Sequence, residues 1–383
     1  MGRPSGLAHW LWIEAQLRTP PFVQRAIVPY LHRAKEYARL LAEPHLPLRE
    51  LRGSNQAGPL TVTYGGLGYA EPLLKSLLFT EEPVEREIGR IPVWRPDELV
   101  SASVGDLTII ESGECLTRKL PRRSAITLPF RVQFILDTRG EWEEVEQRFR
   151  RDARRNDMRK AIKLGYEYEI SHKESDLEMF YHDMYRPTML KRHGDLADLL
   201  PKQEAYQFLR HGWLFLTKRD GTYVSGGLCL ARQGVVGFKE MGVLNGDEQL
   251  MREGAVGAMN YLRIRWAREQ GFRGVNLGSC WPYLSGIFRN KRKWGAAVSV
   301  PPNEHKQIWI SIQRDTPAVA HFLNSNPCVI IDGGRKLKGL IVDNNSEDVT
   351  PETEARWDKL YATPGLSGIL VRSVAELMET PAF

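Results

Sequence analysis

Three groups of residues in this 383-residue sequence are placed to do chemistry. The first is a single carboxylate, Glu240, in Phe238-Lys239-Glu240-Met241, inside an otherwise apolar strand-like run. A carboxylate in apolar surroundings has a raised pKa and can take up a proton, directly or through water. The bland alternative is a salt bridge to Lys239 or another basic residue. The second group is Arg148, Arg150, Arg151, Arg154, Arg155, Arg159, Lys160 and Lys163, opposed only by Asp152 and Asp157. Arg155, Arg159 and Lys163 recur every four residues and would line one helix side, suited to the phosphates of a nucleic acid or of a nucleotide-linked substrate. A solvated helix face is the bland alternative. The third is the knot Arg289-Asn290-Lys291-Arg292-Lys293, whose bland alternative is an exposed basic helix end. The net charge of the whole chain is only +6, so outside the two clusters it is slightly acidic. Two basic patches on a near-neutral body imply an anionic partner.

Composition narrows the class. Hydrophobic content of 42% and charged content of 26% describe a soluble globular protein. The length suggests roughly two to three domains. No apolar run approaches the ~18 residues of a spanning helix, so no integral membrane association is expected. Glu14 and Arg18 break the first apolar run, which reads against a signal peptide, and Gly6 stands where a myristoylation signal needs Ser or Thr. Cys115, Cys229, Cys280 and Cys328 form no CxxC pair, which points to a reducing cytoplasm. The nine histidines show no metal-ligand spacing, so no metal is expected. P-loop, HExxH and GxSxG motifs are absent. Gly65-Gly66-Leu67-Gly68 lacks dinucleotide-loop spacing and reads as a tight turn.

The elements that must position these groups follow from periodicity. Two helical pieces are predicted in residues 1–45, split at Pro20-Pro21. Strand-like runs appear at 60–64 and 107–110 in a stretch rich in Gly and Pro. A strand is predicted over 126–137. The helix after it carries the stripe Trp142, Val145 and Phe149, loses phase near 154–157, resumes at Met158, Ala161 and Ile162, and ends at Gly165. Strand 166–170 and helix 175–192 come next. Strands 213–217, 223–231 and 235–244 form an antiparallel meander, with turns at Asp220-Gly221 and Gln233-Gly234. A long helix carries Val256, Met259, Leu262 and Trp266 and ends before Gly271. Strand 274–277, helix 285–294 and strands 297–300 and 307–312 complete this part. Residues 315–383 hold two helices and three strands.

The order from 126 to 312 resembles the GNAT acyltransferase fold. Its residues resemble the FemAB-like branch of that superfamily. Arg155-Asn156-Asp157-Met158-Arg159-Lys160-Ala161-Ile162-Lys163-Leu164-Gly165 is similar to its basic helix. Leu262-Arg263-Ile264-Arg265-Trp266-Ala267-Arg268-Glu269-Gln270-Gly271 is similar to its long helix. Asn276-Leu277-Gly278-Ser279, followed by Gly286-Ile287-Phe288-Arg289-Asn290-Lys291-Arg292-Lys293-Trp294-Gly295, resembles its ending, with Asn276 in place of Asp and Asn290 in place of Phe. These motifs span about half of the chain.

The resemblance implies an α/β (α+β) fold with a mixed, largely antiparallel sheet flanked by helices, in two GNAT-like lobes. It gives an N-terminal lobe at 1–124, the acyltransferase domain at 125–314, and a C-terminal region, 315–383, packing back on the first lobe. The implied reaction is direct transfer of an acyl or aminoacyl group from acyl-CoA or aminoacyl-tRNA to a primary amine. The acceptor would be a small molecule, a peptide or a glycan precursor, and no cofactor would be tightly bound. Glu240 is the expected base. Lys291 matches the lysine that meets the donor end or developing charge. Arg155, Arg159, Lys163, Arg289 and Arg292 are expected at donor phosphates. Arg252, Gly254 and Gly257 stand near the pyrophosphate loop that opens the long helix, with Ala255 in place of its first Gly. Ser279, Trp281, Tyr283 and Tyr185 are the expected acceptor-pocket walls. The other class considered is a non-catalytic module that binds nucleic acid or a phosphorylated glycan.

Overall fold

The computed structural model describes residues 44–383 apart from 67, 96–97, 99–100, 102, 195–196, 333–335, 344–350 and 380–383, and positions 13–15, 18–20, 23, 30–31 and 34 before them. The helical pieces expected before residue 45 therefore lie almost wholly outside the described residues. In chain order the strands are β1 (His45–Asn55), β2 (Gly58–Gly66), β3 (Val84–Pro92), β4 (Leu107–Gly113), β5 (Ala125–Pro129), β6 (Val132–Asp137), β7 (Glu167–Ser171) and β8 (Trp213–Arg219). They continue as β9 (Thr222–Arg232), β10 (Val235–Val243), β11 (Gly274–Cys280), β12 (Ala297–Ser299), β13 (Lys306–Ile312), β14 (Cys328–Ile331), β15 (Leu337–Val342) and β16 (Leu366–Arg372). The helices used below are α1 (Glu71–Leu78), α2 (Trp142–Gln147), α3 (Arg159–Lys163), α4 (Lys202–His211), α5 (Ala255–Glu269), α6 (Gly286–Arg292) and α7 (Pro317–Ser325).

Packing divides the chain into two discontinuous units. The first comprises Met1–Ala26, Phe134–Gly278 and Lys291–Ala297, and the second Ile27–Gln133, Ser279–Asn290 and Val298–Phe383. The architecture is mixed α/β, with largely antiparallel sheets flanked by helices. A seven-stranded sheet runs β12-β6-β11-β10-β9-β8-β7, a six-stranded one β3-β1-β2-β4-β13-β5, and a three-stranded one β14-β15-β16. Both units repeat one connection. A hairpin ends in a strand, a helix follows, and the chain returns to a strand parallel to the one it left. In the first unit this is β9-β10-α5-β11, and in the second β1-β2-α1 and on to β4.

The meander of the first unit follows from its turns. Asp220 and Gly221 have φ of 51° and 75°, and Gln233 and Gly234 have 53° and 73°. Two positive φ values in a two-residue loop match the right-handed twist of the flanking strands. Helix α5 closes at Gly271, where the Phe272 amide bonds to the Ala267 carbonyl and the Gly271 amide to that of Arg268. On one sheet face Leu214, Leu216, Leu228 and Leu230 pack against Leu177, Phe180, Tyr185 and Phe208. In the second unit Leu74 and Leu78 of α1 and Val319 and Phe322 of α7 cover Leu51, Val62, Ile109 and Ile308.

Two expectations change. The strand predicted over 126–137 is β5 and β6, broken at Phe130-Arg131 and shared between two sheets. The phase loss near 154–157 is a π-helical turn at Ala153–Met158 that runs straight into α3. Its wider turn shifts the apolar stripe. Among the described residues no helix is long and apolar enough to cross a membrane. Nor does any group of three or more His, Cys, Asp and Glu stand together there as metal ligands.

Candidate active site

The feature that organises the first unit is a fork between two parallel strands. β10 and β11 pair only at Val235–Gly274, Val236–Val275 and Gly237–Asn276. β10 then continues to Val243 and β11 to Cys280 with no further pairing between them. Each strand causes the split in its own way. On β10, Phe238 pairs with Cys229 and Glu240 with Leu228, so Lys239 is a bulge. On β11, the Asn276 side chain accepts the Gly278 amide at 2.7 Å, and Gly278 takes φ of 84°. Past Gly237 and Asn276 the two strands no longer pair with each other, which leaves room between them for an extended ligand.

The bulge also sets which way the side chains point. Without it, Phe238 and Glu240 would share a face. With it they take opposite faces, because their partners Cys229 and Leu228 are consecutive. Phe238 lies under α5, where the Arg263 guanidinium sits 3.6 Å from its ring centroid. Glu240, half-buried, falls on the face of Gly242. A Cβ at Gly242 would come within 2.5 Å of the Met184 and Tyr185 backbone, so only glycine lets β10 approach the π-helical segment Phe180–Tyr185. The Lys239 ammonium lies 4.6 Å from the Phe208 ring of α4.

Lys291 closes the β11 side. It is half-buried at the end of α6, and its ammonium donates to the Leu277 carbonyl, just past the last paired residue. The fork thus carries a carboxylate on β10, and an ammonium from α6 bonded to β11. Sequence reading identified both residues but missed Arg263. That side chain is 1% exposed and donates to Asn260 at 3.0 Å, and burial pulls its pKa down to about 10. It cushions Phe238 immediately ahead of the bulge.

The start of α5 carries the other expected donor contacts. Gly254 caps the helix with φ of 101°. Arg252 is exposed, 3.5 Å from Glu248. Against Gly257 stands a carboxylate: a Cβ there would lie 2.1 Å from Asp157 Oδ1. Asp157 is paired with Lys293 at 2.7 Å, both largely buried. A negative charge already occupies the first turns of the helix, where a phosphate would be drawn.

The remaining expected residues are dispersed. Arg155 and Arg159 are exposed and line a cleft of about 520 Å³ with Glu146, Arg151, Arg154 and Met158. Lys163 is exposed on α3. Arg292 is buried at the end of α6. Tyr185 is fully buried beside Phe180 and Tyr181, and its hydroxyl accepts the Leu200 amide at 2.7 Å. Arg289, Ser279, Trp281 and Tyr283 belong to the second unit. There the Arg131 guanidinium lies 3.8 Å over the Trp281 ring, and burial pushes the Tyr283 hydroxyl pKa up.

The second unit holds a carboxylate that sequence reading did not single out. Glu111, wholly buried on β4, accepts the Tyr64 hydroxyl at 2.7 Å and the Ala70 amide at 2.8 Å. It ties β2 to the start of α1. Burial is the largest influence on its pKa and pushes it up. A carboxyl raised in the folded state contributes stability that is full below its unfolded pKa and is lost as pH rises through the folded one. Glu111→Gln retains an oxygen acceptor and removes that titration. The variant should therefore lose less stability than wild type as pH rises above the ordinary glutamate range, as read by thermal unfolding. Identical pH dependence in both proteins would refute this account of Glu111.

No family model matches the sequence, and no curated protein matches it. Among solved structures, the chain is similar to FemX, with 15% identity, 71% of this chain and 89% of that chain covered, and a TM-score of 0.38. It is also similar to L-PGS from Bacillus licheniformis, with 12% identity, 72% and 87% covered, and a TM-score of 0.35. A shorter likeness is to an aminoglycoside N-acetyltransferase in complex with CoA, with 21% identity, 28% and 72% covered, and a TM-score of 0.19.

Proposed function

We propose that this protein is a GNAT-like N-acyltransferase that moves an acyl or aminoacyl group to a primary amine by direct attack. The observation that carries the reading is the β10/β11 fork, with Glu240 on β10 and the Lys291 ammonium of α6 bonded to β11. The reacting end of the donor would lie in the fork, where the two strands have parted. The amine attacks the acyl carbon, a C–N bond forms and the C–S or C–O bond to the carrier breaks. Glu240 takes the ammonium proton, directly or through water. A β10 backbone amide at the fork would stabilise the oxyanion, and Lys291 the charge on the departing carrier.

A thiol relay fits poorly. Burial pushes the Cys229 thiol up to about 12, and Cys280 is also buried. Of the two donors, an aminoacyl-tRNA ester fits better than acyl-CoA. Asp157 against Gly257 opposes a diphosphate at α5, and the aminoacyl ester carries no diphosphate beside its reacting carbon.

Calorimetric titration with acetyl-CoA, followed by transfer assays with charged tRNA and a panel of amines, tests both parts. No heat with acetyl-CoA and amide formation from charged tRNA is the expected result. Saturable micromolar binding of acetyl-CoA would reassign the donor. Absence of transfer from either donor to every amine would overturn the transferase reading.

A further inference from the structure

The arginine cleft of the first unit has no part in the fork chemistry. Arg151, Arg154, Arg155 and Arg159 line it, and Lys163 follows on α3. All five are exposed, and none forms an ion pair with a described carboxylate. Glu146 also lines the cleft, Asp152 is turned onto the Ala153 amide, and Asp157 is held by Lys293. The surface therefore keeps a large positive excess.

Apolar side chains stand among these cations. Met158 lines the cleft. Ile162, one turn further along, is 59% exposed, and Leu164 is 37% exposed at the end of α3. A lone exposed aliphatic residue needs no explanation. Two beside five unpaired cations on one short helical stretch make a surface of mixed character. RNA phosphates would pair with the guanidinium groups but gain nothing from Ile162 or Leu164. An anionic bilayer surface takes both. Its phosphates meet the arginines, and the aliphatic side chains enter the boundary between headgroups and acyl chains.

We propose that the segment from Arg151 to Leu164 is a peripheral docking surface for an anionic phospholipid membrane. It goes beyond the transferase reading and does not depend on it, since membrane binding is measured without any donor or acceptor.

The test is co-sedimentation of the full chain with vesicles. One set is pure phosphatidylcholine, and the other carries about one third phosphatidylglycerol. Binding is expected only to the anionic set, weakening as salt rises. Ile162→Asn should lower partition about ten-fold, and Arg155→Glu with Arg159→Glu at least as much. All three positions are exposed, so the variants should keep the wild-type circular dichroism and melting curve. Equal binding to both vesicle sets, or none to either, would overturn the proposal. So would an Ile162→Asn variant that binds like wild type. Binding of tRNA that needs Arg155 and Arg159, with no vesicle binding, would assign the patch to RNA instead.

Discussion

Glu240→Gln should lower the rate of amide formation about hundred-fold or more at saturating donor, the range typical of a lost general base. Donor affinity should change little. The amide is nearly isosteric with the carboxylate, so the bulge at Lys239 and the packing of Gly242 stay in place. What disappears is the group proposed to take the proton from the substrate ammonium and leave the amine free to attack. The rate should therefore become steeply dependent on external pH, because only amine already deprotonated in solution can react. Lys239→Met is the matched control. Its ammonium lies on the Phe208 ring rather than in the proton path, so transfer should stay near the wild-type rate. A Glu240→Gln enzyme within about three-fold of wild type would remove Glu240 from the mechanism.

Glu240 was readable in the sequence as a candidate proton acceptor because a lone carboxylate in an apolar strand stands out against period-two patterning. Its orientation was not. A bulge inserts one residue without any change in composition, and Phe238-Lys239-Glu240 reads the same with or without it. The parallel pairing of β10 and β11 is likewise a long-range fact, and its stopping after three residue pairs depends on an Asn276 side chain folding onto Gly278. The meander was legible for the opposite reason. Asp220-Gly221 and Gln233-Gly234 are local signals that fix hairpin register without help from elsewhere.

The second unit was harder for physical reasons that can be named. β3 is a charged edge strand, Val-Glu-Arg-Glu-Ile-Gly-Arg-Ile-Pro, whose stability comes from pairing with β1 rather than from an apolar face. Glu111 gave no signal because its environment is built by Tyr64 and Ala70, more than forty residues away. The arginine-rich helix was visible as charge. That Ile162 points outward among the cations depends on the π-helical turn before it, which ordinary 3.6-residue periodicity does not anticipate.

Lys291 joins the fold to the chemistry, and two substitutions separate its roles. Its ammonium holds the Leu277 carbonyl where β11 parts from β10. Lys291→Met removes both donor and charge, leaving a buried carbonyl without its partner. That should cost about 1–3 kcal/mol of stability. It should also lower turnover at least ten-fold, a modest figure beside the loss of an oxyanion donor. Lys291→Gln removes the charge but can still donate to Leu277. If Lys291 stabilises the departing carrier electrostatically, the Gln variant should keep a near-wild-type melting temperature and still lose turnover about ten-fold or more. If Lys291 is only a prop, the Gln variant should turn over at the wild-type rate while the Met variant loses stability. That outcome would leave the leaving group without a charged partner in the fork, and the mechanism would rest on Glu240 and the β10 backbone.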